Sequence, residues 1–271
     1  MIADLVDSLV AGEPASRPVL RLFDDPKISY GRDRRDVPDG CKRLLVFLAL
    51  HRRRVDRRYA AGILWPDGTD DRAAGNLRSA LWRLNRAYQD LVRVDRHGLA
   101  FGPDVLVDID LVAEWAKRVI SGRLAHSDLR VVPTGNEAFD LLPGWYDDWV
   151  LVERERIRQR VLHAMEAMSR HLVAAGRCAE AVEVALLATS ADPLRESAQI
   201  VLLEAHLAEG NWVEARRGLD AYRGLLAREF GIEPGTRLRA LLDAYPNARV
   251  TRPAGPAPAG STPRVAPTAA R

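Results

Sequence analysis

DDRAAGNLRSALWRLNRAYQDLVRVDRHGLAFG, residues 70–102, contains two periodicities in succession. At about 100° per residue, positions 72–86 put Ala73, Ala74, Leu77, Leu81 and Leu84 on one side. Arg72, Gly75, Ser79, Trp82, Arg83 and Arg86 fall opposite, with Asn76 at the edge. The spacing predicts a helix with an apolar face turned inward and a cationic, hydrogen-bonding, partly aromatic face turned outward. Asp70 is placed to cap it, and carboxylates in a first turn suit the helix dipole. LVRVD and GLAFG then alternate around Arg96-His97-Gly98, which predicts a hairpin.

Upstream, GCKRLLVFLALHRRR (40–54) predicts a helix with Leu44, Leu45, Phe47 and Leu48 inward and a basic end. RRYAAGILW (57–65) predicts a short second helix stopped by Pro66-Asp67-Gly68. A short helix, a turn, a helix with an outward cationic face and a hairpin are the order of a winged helix-turn-helix. In that order, Arg72, Asn76, Ser79, Trp82, Arg83 and Arg86 are the candidates for base and phosphate contact. Arginine pairs with guanine edges or clamps phosphate, asparagine pairs with adenine, and serine contacts either. Arg93, Arg96 and His97 would flank the duplex from the hairpin. In the run HRRRVDRR (51–58), Arg53, Arg54, Arg57 and Arg58 are either a solvated helix end or a phosphate clamp. The competing reading of every one of these arginines is a side chain that merely faces water.

Charge is unevenly placed along the 271 residues. The net charge is +3, yet 17–102 carries 19 Lys/Arg against 11 Asp/Glu, and 103–245 carries 17 against 23. A basic front can meet a polyanion and an acidic back cannot. Two distant cysteines, Cys41 and Cys178, give no disulfide framework. The acidic N-terminus MIADLVDSLVAGEPAS is unlike a signal peptide. No apolar run reaches the roughly 20 residues of a membrane span. A cytoplasmic protein with no membrane partner is expected.

Residues 1–16 read as a flexible leader and RPVLRLF (17–23) as a strand that opens a first domain, 17–121, closed by a helix near 110–121. Gly122, Pro133, Gly135 and Pro143 mark 122–143 as a linker. From 144 to 245 the pattern is helical, with an internal repeat. HLVAAGRCAEA (171–181) and AHLAEGNWVEA (205–215) align at an offset of 34, the tetratricopeptide period, pairing Gly176 with Gly210 and Ala181 with Ala215. Small residues there would let paired helices approach closely, and Pro193 would start the second unit. The Pro/Ala/Gly/Thr-rich 246–271 reads as a disordered tail. The expected fold class is mainly α: an N-terminal α+β winged helix-turn-helix followed by an all-α tetratricopeptide-like domain.

VDRRYAAGILWPDGTDDRAAGNLRSALWRLNRA resembles the OmpR-type winged helix of the Streptomyces antibiotic regulatory proteins (SARP). Its LWPD passage leads into spaced Ala and Leu and a Leu-x-Arg ending. LLPGWYDDWVLVERERIRQ (141–159) and LLAREFGIEPGTRLRALL (225–242) are similar to the start and end of the bacterial transcriptional activator domain, which is tetratricopeptide-like. The resemblance covers about 17–245. It implies an activator that binds direct repeats in double-stranded promoter DNA, as a homodimer or tandem protomers. It further implies recruitment of RNA polymerase through its sigma factor and control of a biosynthetic gene cluster. By position it carries the recognition helix onto Arg72, Asn76, Ser79, Arg83 and Arg86. The hairpin's second strand, Gly98-Leu99, departs from the family's usual Gly-Tyr. Asp70 and Asp71 would repel any phosphate they approached. Longer relatives add an ATPase or a phosphopeptide-binding module. The sequence contains no Gly-x-x-x-x-Gly-Lys-Ser/Thr loop, and neither module is expected.

No enzymatic constellation emerges, and neither cofactor nor metal is expected. His163 and His171 lie eight apart without a partner at ligand spacing. Trp145 and Trp149 are expected to pack the domain junction, with Asp147 and Asp148 facing water. The alternative to a DNA-binding activator is a tetratricopeptide-type interaction scaffold with a degenerate winged helix.

Overall fold

A computed structural model describes residues 2–96, 98–125, 128–129 and 141–244, with backbone only at 242–244. The expected tail, 246–271, and most of the expected linker lie outside the described residues, as does His97.

The chain opens with a helix where a flexible leader is expected. Ile2–Val10 forms α1, whose Ile2, Leu5 and Val6 are buried. These three positions are one helical stripe, partly hidden in the sequence by Asp4, Asp7 and Ser8. Asp7 ties α1 to the sheet that follows, accepting from Arg21 at 2.5 Å and Arg34 at 3.0 Å. Three strands follow: β1 (Pro18–Arg21), β2 (Lys27–Tyr30) and β3 (Asp33–Asp36). With β6 (Leu106–Val107) they form a sheet ordered β3-β2-β1-β6, antiparallel except that β6 runs parallel to β1, with Leu20 opposite Val107. β3 is Asp-Arg-Arg-Asp and wholly exposed. It is a charged edge strand that carries no hydrophobic alternation.

The three helices of the expected helix-turn-helix order then appear. α2 is Lys42–His51, α3 is Arg57–Leu64 and α4 is Asp70–Ala87. Asp56 caps α3, accepting from the backbone N–H of Arg58 at 2.8 Å and Tyr59 at 3.0 Å. The bond from Tyr59 N–H, with that of Arg58, holds the Asp56 carboxyl below the usual carboxylate range. The cap of α4 is Thr69, whose Oγ1 accepts from Arg72 N–H at 3.4 Å, and Asp70 instead starts the helix. The hairpin is β4 (Val92–Asp95) with β5 (Gly98–Phe101). Leu99, buried where the family's tyrosine would stand, exchanges backbone hydrogen bonds with Val55 at 2.9 and 2.8 Å, so the hairpin is anchored to the α2–α3 loop. Gly98 makes this approach possible. Its φ is +149°, and a Cβ there would lie 2.4 Å from the Val55 oxygen.

β6 leads directly into α5 (Asp108–Ile120). The buried Asp108 carboxylate accepts from Leu22 N–H at 2.6 Å, Phe23 N–H at 3.2 Å and Ile109 N–H at 2.7 Å. It pins the end of β1 to the start of α5.

The helical half comprises α6 (Asp148–Ala174), α7 (Cys178–Ala191), α8 (Glu196–Glu209), α9 (Trp212–Phe230) and α10 (Thr236–Ala244). α6–α7 and α8–α9 are the two repeats. Gly176 and Gly210 sit at their turns with φ of +74° and +85°. Nothing lies within 4 Å of a Cβ at either position, so the glycines serve the left-handed turn and not close helix approach. Close approach falls to Ala181 and Ala215, both buried. Pro193 lies in the turn after α7, three residues before α8. In the GIEPGT passage, Gly231 closes α9 with φ +67°, and Gly235 N–H donates to the Glu196 carboxylate at 2.8 Å. A Cβ at Gly235 would meet that carboxylate at 2.2 Å.

The two halves share one core. A single buried cluster runs from Ile2 through α2, α4 and α5 into α6, α7 and Ala205 of α8. Leu141 and Leu142 are fully buried at the seam, and Leu142 N–H donates to Leu22 at 2.9 Å. Trp149 meets Phe47 of α2 edge to face at 5.4 Å, and Trp145 is half-buried beside it. Asp148 faces water, but Asp147 does not: it pairs with Arg43 of α2. His171 approaches the Val119 carbonyl at 3.0 Å, a junction contact of α6 with α5.

Candidate nucleic-acid interface

α4 is the element on which the site rests. Ala73, Leu77, Ala80 and Leu84 are buried, while Ala74 and Leu81 are half-buried. The inward face is therefore rotated slightly toward Ala80 from the expected one. Arg72, Ser79, Trp82, Arg83 and Arg86 are exposed and Asn76 is half-exposed. Trp82 is 63% exposed, far beyond what a core tryptophan shows, and Arg86 lies over its ring at 5.5 Å.

Ion pairing divides the cations of the N-terminal half into two groups. On and beside the sheet and on α2, Arg17, Arg21, Lys27, Arg34, Arg35, Lys42 and Arg43 each pair with a carboxylate, and Arg32 in the β2–β3 turn does not. Among the described residues, Arg53, Arg57, Arg58, Arg72, Arg78, Arg83, Arg86 and Arg93 have no carboxylate within ion-pair distance. All of these lie on the α2–α3 loop, α3, α4 or β4. Unpaired cations crowded on one surface make a positive field that is free to act on an external anion. Arg54 differs from its neighbours. It pairs with Asp95 and serves as a strut between the α2–α3 loop and the hairpin.

The expected contact residues do not form one cluster. Arg83 turns back toward α2: a Cβ on Gly40 would come within 3.1 Å of its guanidinium. It also neighbours Cys41, whose thiol donates to the Ala80 carbonyl at 3.3 Å. Burial pushes the Cys41 thiol up, and Arg83 partly offsets this. Arg72 packs along Gly68. Ser79 Oγ donates to the Gly75 carbonyl at 3.0 Å, satisfied on its own helix. Arg93 and Arg96 are exposed on the hairpin.

Sequence reasoning passed over Arg78. It lies about 100° from Leu77 on the wheel, at the border of the apolar face and not opposite it. In the fold that border faces the hairpin. Arg78 there joins Arg57, Trp82, Leu81, Val92 and Val94 around an open groove of about 380 Å³. The signal that could have found it was the hairpin itself, which must pack against one flank of α4.

Among the described residues no helix is long and apolar enough to cross a membrane, and no group of three or more His, Cys, Asp and Glu is placed to hold a metal ion. The family model of the bacterial transcriptional activator domain matches residues 135–244. No curated protein matches the chain. Among solved structures, Mycobacterium tuberculosis EmbR in complex with a low affinity phosphopeptide is similar in fold. It is 18% identical, with a TM-score of 0.62 over 84% of this chain. This chain spans 64% of that one's length. The helical repeats lie within the stretch matched by the activator-domain model, and the likeness to EmbR, over 84% of the chain, extends beyond that stretch. Residues 135–244 thus form a bacterial transcriptional activator domain, the SARP-type helical module, and it follows an N-terminal half with a winged-helix fold.

Proposed function

We propose that this chain is a sequence-specific DNA-binding activator whose winged helix, 17–121, docks on double-stranded promoter DNA. α4 enters the major groove, where Arg72, Asn76 and Arg86 face the bases and Trp82 lies on the side toward the sugar–phosphate strand, and the hairpin brings Arg93 and Arg96 to the adjacent backbone. The observation that carries this reading is the run of carboxylate-free arginines on the α2–α3 loop, α3, α4 and β4, beside a sheet in which every strand cation is paired and only Arg32 of the β2–β3 turn, among the described residues, is not. The other described arginines without a carboxylate partner, Arg32, Arg123, Arg154, Arg160, Arg228 and Arg239, are scattered along the chain from the β2–β3 turn to α10.

The SARP resemblance supports the finer steps. Protomers bind direct repeats side by side, the helical domain (144–245) contacts RNA polymerase through its sigma factor, and the target is a biosynthetic gene cluster. The setting is the cytoplasm, and the role is not enzymatic. Selection of bound genomic fragments, followed by mobility shift of the enriched fragment, tests the reading. Enrichment of repeats spaced near one helical turn is expected, with affinity falling steeply between 50 and 200 mM salt. Weak, sequence-blind retention would point instead to an interaction scaffold with a degenerate winged helix.

A further inference from the structure

The groove between α4 and β4 has a chemistry that base reading does not require. Leu81, Val92 and Val94 give it an apolar lining, with Trp82 on one side. Arg57 reaches it from the start of α3, and Arg78 from α4. Neither arginine has a carboxylate partner among the described residues. Arg78 lies near Gly75: a Cβ there would meet its guanidinium at 3.7 Å. The groove sets an apolar wall beside two guanidinium groups that, among the described residues, have no carboxylate partner. It is complementary to a sugar–phosphate chain, which alternates an apolar face with a negative charge.

Position gives the occupant. Where a helix lies in the major groove and the following hairpin meets the neighbouring minor groove, one sugar–phosphate strand separates the two grooves. That strand has to pass between the helix and the hairpin. We propose that the α4–β4 groove is a backbone cradle: Arg57 and Arg78 clamp phosphate of this dividing strand, and Trp82 with Val92 and Val94 packs against its deoxyribose. The inference rests on the DNA-binding reading above. It assigns Arg78 and Arg57 to register and affinity and not to sequence recognition, because phosphate contacts position without specifying.

The test uses the full chain and two fluorescent duplexes, an enriched genomic fragment and a scrambled one, titrated by anisotropy at several salt concentrations from 50 to 200 mM. Arg57→Ala and Arg78→Ala should each make the slope of log affinity against log salt shallower by about 0.9. Each variant should then lose about 3.5-fold less affinity than wild type across that salt range. Both variants should weaken the two duplexes by the same factor, and Arg78→Lys should keep the wild-type slope. Circular dichroism matching wild type shows that the fold is kept. An unchanged slope in both alanine variants overturns the cradle. So does a selective loss on the enriched duplex at constant slope, which would make these arginines base readers. If wild type itself shows no salt-dependent binding to either duplex, the DNA-binding reading fails first, an outcome distinct from a failed cradle.

Discussion

Trp149→Ala tests whether the two halves unfold as one body. Trp149 begins α6 yet packs on Phe47 of α2, which is fully buried, at 5.4 Å and 84° between ring planes. Removing a fully buried tryptophan costs about 3–5 kcal/mol. Trp149 keeps part of its surface in water, so about half to two-thirds of that is at stake, or about 2–3 kcal/mol. Within this sum the edge-to-face contact accounts for about 0.5–1.5 kcal/mol. Because the buried cluster is continuous across the seam, the loss must be felt by both halves. The assay is urea unfolding followed by far-ultraviolet circular dichroism, which weights the helical half, and by hydrogen exchange of the α2 amides, which reports the winged helix. Wild type should give the same free energy by both probes. The variant should lower both together, with the urea midpoint falling at nearly constant slope. A wild type whose two probes differ by more than about 1 kcal/mol would refute the shared core, as would a variant that destabilises one half alone.

Other perturbations have equally defined outcomes. Glu166 is 5% exposed and accepts from Arg195 Nε at 2.5 Å and Ser197 Oγ at 2.7 Å; Glu166→Ala leaves a nearly buried guanidinium uncompensated and should cost about 3–5 kcal/mol by urea denaturation, while Glu166→Leu with Arg195→Met should recover most of it. Burial raises the Asp108 carboxyl to about 7, against the pull of the Leu22, Phe23 and Ile109 N–H groups and Arg21. A carboxyl with a raised folded value holds its proton longer in the native state, so its contribution is full below about pH 4 and is lost as pH rises toward 7, by about 4 kcal/mol in the limit. Subtracting the pH profile of Asp108→Asn from that of wild type should isolate this fall, and a flat difference from pH 4 to 8 would reverse the assignment. Gly98→Ala drives a Cβ into the Val55 oxygen, and should release the hairpin, lowering DNA affinity and stability together. A variant with wild-type unfolding midpoint would remove Gly98 from the anchoring role.

Much of the order of elements was legible in the chain because local rules governed it. Leu77 and Leu84 at helical spacing, the alternation around Arg96, and the repeat at an offset of 34 each depend on near neighbours. α1 and β3 were missed for opposite reasons. α1 is too short for its stripe of Ile2, Leu5 and Val6 to stand out, and it gains stability by packing on the domain. β3 is all charge and is held by its pairing with β2. The repeat spacing of Gly176 suggests close helix packing where the fold uses a left-handed turn, since a sequence does not tell a turn glycine from a packing glycine.

The sequence by itself determined that an amphipathic helix with arginines on its polar side would stand between a short helix and a hairpin, because period and composition are local properties. Only the tertiary structure decided which of those arginines keep their charge available. Arg43 and Arg54 are matched by Asp147 and Asp95, from segments 104 and 41 residues away, and Arg83 turns toward Cys41. Arg78 and Arg57 are left unmatched beside the hairpin. Neutralisation depends on distances of a few ångströms, and those are set by how distant segments pack.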